Sequence, residues 1–280
     1  MIYPRKSQYA QDVADHYDDL DHWYQLIWGE HVHHGLWRKG NETVAEATRA
    51  LTTHLADRVQ VQPGDRICDI GCGYGATARI LAYEYKARVE GYTLSARQHA
   101  YAQQVATQPD NPVIHCRNWF DNGLPDGVAD LCISIESSEH MEDKAAFFRE
   151  VHRVLKSDGR VGVYAWLARP APAAWEVRLL LEPICREGRL PHMGDEEDYR
   201  QLMSGAGFTG IAFEDLSRNV KKTWPIIVGR MARRLTWDLA AWKYLFKGPN
   251  REFARTVLRI WAAYNTGSMR YGLFTARKAP

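Results

Sequence analysis

The sequence predicts an α/β fold, a doubly wound sheet of seven strands with helices on both faces. Three observations predict it. From Pro63 onward, short apolar runs alternate with amphipathic stretches, the pattern of successive βα units. The first apolar run ends in Asp69-Ile70-Gly71-Cys72-Gly73-Tyr74-Gly75, a glycine-rich turn that opens a helix at Ala76. The chain closes on two more apolar runs, with a tryptophan-rich helical stretch inserted between them.

Taken in order, strands are expected over 66–71, 88–92, 113–116, 129–135 and 160–166. Helices are expected over 76–86, 95–107 and 144–155, the last stopped by Ser157-Asp158-Gly159, and over 198–206 before Gly207. Final strands fall over 209–215 and 271–276. Residues 1–60 are expected as an N-terminal helical lid, 61–217 with 268–280 as the core, and 218–267 as a helical cap insertion. Within the cap, Trp224, Trp237, Trp242 and Trp261 have spacings that suit amphipathic helices packed on the core.

With 45% apolar residues in 280, the chain buries a large core, while 36 basic against 34 acidic side chains give a net charge of +2. So even a balance argues against a general attraction to nucleic acid. Five cysteines, odd in number and without CxxC spacing, argue against a disulfide framework or zinc ribbon and predict a reducing cytoplasm. Neither a secretory leader nor a transmembrane stretch is expected. His31, His33 and His34 lack acidic or thiol partners at metal-ligand spacing, so no metal site is expected, and a polar lid packing on itself is the alternative role. Arg230, Arg233 and Arg234 read as a solvated helix face, or as a contact for an anionic group or a membrane surface.

The glycines let a ligand approach the backbone where any Cβ would collide. Asp69, at the end of the first strand, repels pyrophosphate but suits a cationic amino group, favouring a ligand with an ammonium and a sulfonium. The rival is a dinucleotide fingerprint, Gly71-x-Gly73-x-x-Ala76 with Glu90 downstream. Glu90 is followed by Gly91-Tyr92-Thr93 and so lies inside the second strand, whereas a ribose-binding acid belongs at its end.

The glycine loop, the order of the later segments and the β-rich tail resemble a class I S-adenosylmethionine-dependent methyltransferase, with a Rossmann-like sheet in the order 3-2-1-4-5-7-6. More narrowly, Tyr17-Asp18, the 27–35 segment IWGEHVHHG, the 136–144 segment ESSEHMEDK, and Asn219-Val220 with Trp224-Pro225 resemble the γ-tocopherol methyltransferase group. That resemblance implies S-adenosylmethionine as cofactor, its methionine part against Asp69, Gly71 and Gly73. Thr93-Leu94-Ser95 with Gln98 is similar to the ribose-side segment of cyclopropane fatty acid synthases. Asn118 stands where many relatives carry an Asp that meets the adenine amino group, and Trp119 would lie beside the ring. Tyr17 and His34 would close over the cofactor, with Glu136 beside it.

For catalysis, His140 is the candidate general base, and Glu136 or Glu139 would stabilise a cationic intermediate or a basic amine. Helix capping by the glutamates and a satisfied core position for His140 are the alternatives. The resemblance implies a small, largely apolar acceptor: a prenylated phenol, a terpenoid or an alkaloid-like molecule, taken by a monomer or homodimer. A nicotinamide-dependent oxidoreductase and a non-catalytic binding protein are the competing readings.

Overall fold

The computed structural model describes residues 1–237 and 249–280. Its sheet runs β1 (Arg66–Ile70), β2 (Arg88–Thr93), β3 (Val113–Cys116), β4 (Ala129–Ile135), β5 (Leu155–Ala168), β6 (Phe208–Asp215) and β7 (Met269–Lys278) along the chain. In space the order is β3-β2-β1-β4-β5-β7-β6, as the sequence predicts. Only β7 runs against its neighbours. The central strands are buried on both faces, which is why they read as continuous apolar runs. Their alternate residues feed two cores: Ile67 and Tyr164 face one side, Cys68 and Val163 the other.

Helices α4 (Ala76–Tyr85), α5 (Ala96–Gln104), α6 (Lys144–Val154) and α9 (Glu196–Gly205) cover the sheet. Local chemistry sets their starts: Ser95, Asp143 and Asp195 each accept a hydrogen bond from the backbone N–H three residues on. One expectation needs correcting, and one stretch with no predicted element proves helical. The stop of α6 is not Ser157-Asp158-Gly159; the helix ends at Val154, and those residues form a bulge inside β5, where the pairing with β4 shifts and Asp158 takes φ +60°. The stretch after β5 is itself helical, α7 (Ala174–Glu176) and α8 (Glu182–Glu187) joined by a π turn over Val177–Leu181. Periodicity hides it because the π turn slips the apolar stripe out of phase.

At the N-terminus, α1 (Ala10–Asp19) and α2 (Asp21–Ile27) lie over the carboxyl ends of the strands, while α3 (Val44–Arg58) packs on the sheet. The absence of a side chain at Gly162 is what admits α3: a Cβ there would stand 2.7 Å from Leu55 and 2.6 Å from Val59. Between β6 and β7 stand α10 (Ser217–Val220), α11 (Thr223–Trp237) and α12 (Pro249–Thr266). Trp224 is buried and Trp261 is exposed, while Trp242 falls outside the described residues. Among the described residues, no helix is long and apolar enough to cross a membrane.

Candidate active site

The turn after β1 borders a cavity of about 460 Å³. Gly71, Gly73 and Gly75 all have positive φ, from +55° to +77°. At Gly71 a Cβ would stand 2.2 Å from the Ser137 Cβ, so the turns after β1 and β4 touch; the Ser137 hydroxyl donates to the Ile70 carbonyl there. At Gly73 a Cβ would meet nothing within 4 Å, because that position faces the open cavity. Thr93, Leu94 and Gln98 line the next stretch, and the Thr93 hydroxyl donates to Gln98 Oε1 at 2.7 Å, fixing the orientation of that amide. Asn118 and Trp119 close the far end. The Asn118 oxygen already accepts from the Phe120 N–H at 3.0 Å, leaving its second lone pair for a ligand, and the buried Trp119 indole N–H has no protein partner.

Asp69 sits in a narrow cleft beside this cavity, sharing Gly71 and Gly73 with it and roofed by His31 and His33. Its Oδ2 is buried without a partner, and burial pushes its carboxyl up to about 7. An orphaned carboxylate oxygen, a glycine edge facing open space and unspent polar groups at the far end together fit S-adenosylmethionine. The roof histidines hydrogen-bond each other at 3.0 Å, and burial lowers His31 to about 3. Among the described residues no group of three potential ligands converges on a metal position.

A second, more enclosed cavity of about 70 Å³ lies beyond a wall formed by Tyr17, Val32, Glu136 and His140, which line both spaces. His140 Nδ1 is 3.1 Å from the Arg189 carbonyl. Carbonyls only accept, so Nδ1 carries the proton and Nε2 presents its lone pair, which accepts from the Tyr17 hydroxyl at 3.1 Å. Burial lowers His140 to about 4, so the ring is neutral near neutral pH. Behind it the buried Lys144 ammonium, lowered by burial to about 8, donates to the carbonyls of Glu139 and His192, each at 3.1 Å.

Glu136 follows β4 with φ +54°, a strained conformation for a side chain with a Cβ. Its Oε1 accepts from the His34 N–H at 2.8 Å, His34 Nδ1 at 2.9 Å and the Tyr271 hydroxyl at 2.8 Å; Oε2 accepts from the Trp166 indole at 2.8 Å. His34 Nε2 in turn accepts from the Trp224 indole at 2.7 Å. An indole only donates, so His34 is neutral with its proton on Nδ1. Burial would raise the Glu136 carboxyl, but the electrostatic attraction of the adjoining His34 and His33 rings, with the hydrogen bonds His34 donates, outweighs it and lowers the carboxyl. Its near neighbour Glu139 has fewer donors, chiefly the Trp166 N–H, and burial pushes it up to about 7.

The structure brings Tyr17, Gly71, Gly73, Thr93, Leu94, Gln98, Asn118, Trp119, Glu136 and His140 to the first cavity. His34 and Glu139 face only the second, and Asp69 only the cleft. Glu90 is outside the lining, paired with Arg66 and His115 on the sheet. Arg230 is not a free basic group, because it donates to the Ile27 carbonyl, while Arg233 and Arg234 are exposed. Sequence reasoning missed Trp28, Trp166, Glu187 and Leu190 in the second cavity. Trp166, at the end of a strand pointing to the ligand side, carried the one readable signal.

Fold order, glycine turn and cavity together define a class I methyltransferase that uses S-adenosylmethionine. The sequence model described as "Mycolic acid cyclopropane synthetase" matches residues 4–271, and the chain belongs to that family. It is 29% identical to tocopherol O-methyltransferase, chloroplastic, of Arabidopsis thaliana, over 95% of this chain and 81% of that protein. It is also 29% identical to 27-O-demethylrifamycin SV methyltransferase of Amycolatopsis mediterranei (strain S699), over 95% and 97% of the two. Among solved structures, mycolic acid cyclopropane synthase CmaA1 complexed with SAH and CTAB superposes with a TM-score of 0.85 at 22% identity, covering 98% of this chain and 99% of that one.

Proposed function

We propose that the chain transfers the methyl group of S-adenosylmethionine to a carbon, nitrogen or oxygen of a small, largely apolar acceptor of the prenylated phenol, terpenoid or alkaloid type, held in the second cavity. The carrying observation is the shared wall: Tyr17, Glu136 and His140 border both spaces, so donor and acceptor would meet there. Relatives named as tocopherol and 27-O-demethylrifamycin SV methyltransferases agree with a small-molecule acceptor, and the aromatic lining of the second cavity suits an apolar one.

When bound, the cofactor supplies an electrophilic methyl group on sulfur. Asp69, Gly71 and Gly73 would hold its methionine end, Thr93, Leu94 and Gln98 its ribose, and Asn118 and Trp119 its adenine. His140 Nε2 takes the acceptor's proton by way of Tyr17, whose hydroxyl hydrogen already points at that nitrogen and whose oxygen receives the incoming proton. Glu136, kept ionised by its donors, steadies positive charge as it develops on the acceptor. The lid helices α1 and α2, with Trp224, Val257 and Ile260 of the cap, close around both ligands and exclude water. Five free cysteines accord with work in a reducing cytoplasm, as a monomer or homodimer.

Calorimetry with S-adenosylhomocysteine tests the cofactor half; no binding at about 1 mM, a level where even weak sites fill, overturns it. For the base, His140→Ala should lower turnover by ~10²- to 10⁴-fold on the best acceptor from a panel of phenols, terpenoids and amines, with S-adenosylhomocysteine affinity retained. Unchanged turnover removes His140 from that role.

A further inference from the structure

We infer that the acceptor enters the second cavity as a cation, an amine carried on an apolar body, and that carboxylates and phosphates are turned away. This rests on the methyltransferase reading and narrows its acceptor. The first support is composition: Glu136, Glu139 and Glu187 line the cavity, and among the described residues no lysine or arginine does. The second is the state of the Glu136 charge. All four of its donors are neutral groups, so the carboxylate is hydrogen-bonded yet has no counter-charge. Glu187 differs, because Arg259 and the Thr256 hydroxyl already engage it.

The neighbouring cations lie outside the lining. Lys144 sits on backbone carbonyls behind Glu139, and Arg189 donates to Gln8 at 3.5 Å while its buried Nε has no partner and its charge is felt by His16. The third support is the aromatic box. Trp166 and Trp224 meet edge to face at 5.8 Å between centroids, Trp28 and Trp224 at 6.4 Å, and Tyr17 lies 5.2 Å from Tyr24. Ring faces attract a cation through their quadrupoles and repel an anion, more strongly when water is excluded. The three tryptophans do not line the first cavity, so this box is not explained by the cofactor's own sulfonium.

The test uses the full chain saturated with S-adenosylhomocysteine, whose sulfur is uncharged, titrated at pH 7.5 with three probes of one shape. These are 2-phenylethylamine, 2-phenylethanol and 3-phenylpropionate, followed by calorimetry and indole fluorescence. The amine should bind at least about tenfold more tightly than the carboxylate and more tightly than the alcohol. In Glu136→Gln the amine should weaken by about tenfold while the alcohol changes little. Equal affinities, the reverse order, or no amine binding up to about 10 mM overturn the inference. The wild-type series decides even if the variant folds poorly. Cofactor binding is read first in the same cell: its presence without the amine preference sinks this inference alone, and its absence sinks the methyltransferase reading itself.

Discussion

Replacing Glu136 by glutamine changes a charge and reverses one hydrogen bond, and both losses can be sized. The carboxylate accepts four donors from three sides, His34 twice, Tyr271 and Trp166. An amide offers one acceptor oxygen and one donor end, so either the Trp166 indole or the His34–Tyr271 group is left facing an N–H. A buried donor left unpaired costs about 1–3 kcal/mol, and weakening the charge-assisted bonds adds about 1 kcal/mol, for a loss of roughly 2–4 kcal/mol. The direction of the carboxyl's shift, downward from its ordinary 4.5, sets the pH range in which that stability is lost. Because the folded value lies below the unfolded one, this stability is present above pH 4.5 and is lost as pH falls toward 2. Urea denaturation of both proteins from pH 7 to pH 3 should show Glu136→Gln weaker by roughly 2–4 kcal/mol at pH 7, with the gap narrowing in acid. A difference under about 0.5 kcal/mol at pH 7, or acid limbs that run parallel, refutes the account of Glu136 as a carboxylate held ionised by neutral donors.

Other expectations follow from the same geometry. Tyr17→Phe keeps the ring but removes the hydroxyl that donates to His140, so turnover should fall about 10²-fold while S-adenosylhomocysteine affinity stays within about threefold by calorimetry. Gly73→Ala should cost only about 1 kcal/mol in denaturation, the left-handed backbone penalty, yet weaken S-adenosylhomocysteine more than about tenfold, because its methyl group enters the cavity. Glu139 carries the opposite sign from Glu136. Burial raises it to about 7, so its stabilising protonated form is lost as pH rises from about 4.5 to 7, and Glu139→Gln should gain melting temperature relative to wild type at pH 8 but not at pH 5.

Much of the fold was legible because it is written locally. Strands β1 to β4 announce themselves as apolar runs between turn residues, and Ser95 and Asp143 mark helix starts by the bond each makes three residues on. The cofactor side was legible for a similar reason: Gly71, Gly73, Thr93 and Gln98 cluster at strand ends that the sheet brings together. What stayed hidden depends on contacts between distant positions. Glu136 meets His34 across 102 residues of sequence, and no spacing rule foretells that one carboxylate will gather donors from the lid, β5 and β7. The π turn at Val177–Leu181 broke the period that would have revealed α7 and α8, and with it went Glu187 and Leu190.

Tyr17 belongs to α1, whose polar ties to the rest of the molecule include Asp18 accepting from Ser95 and from the Arg97 N–H, His16 meeting the Tyr24 hydroxyl, and the Ala10 N–H donating to Glu142 at 2.9 Å. Without that helix His140 Nε2 would have no donor at its lone pair and nothing to hand it a proton. The same helix thus completes both the proton path and the wall of the cofactor cavity. A molecule caught with its entrance ajar would hold a reactive cofactor but no working relay, which protects that cofactor from being spent on solvent.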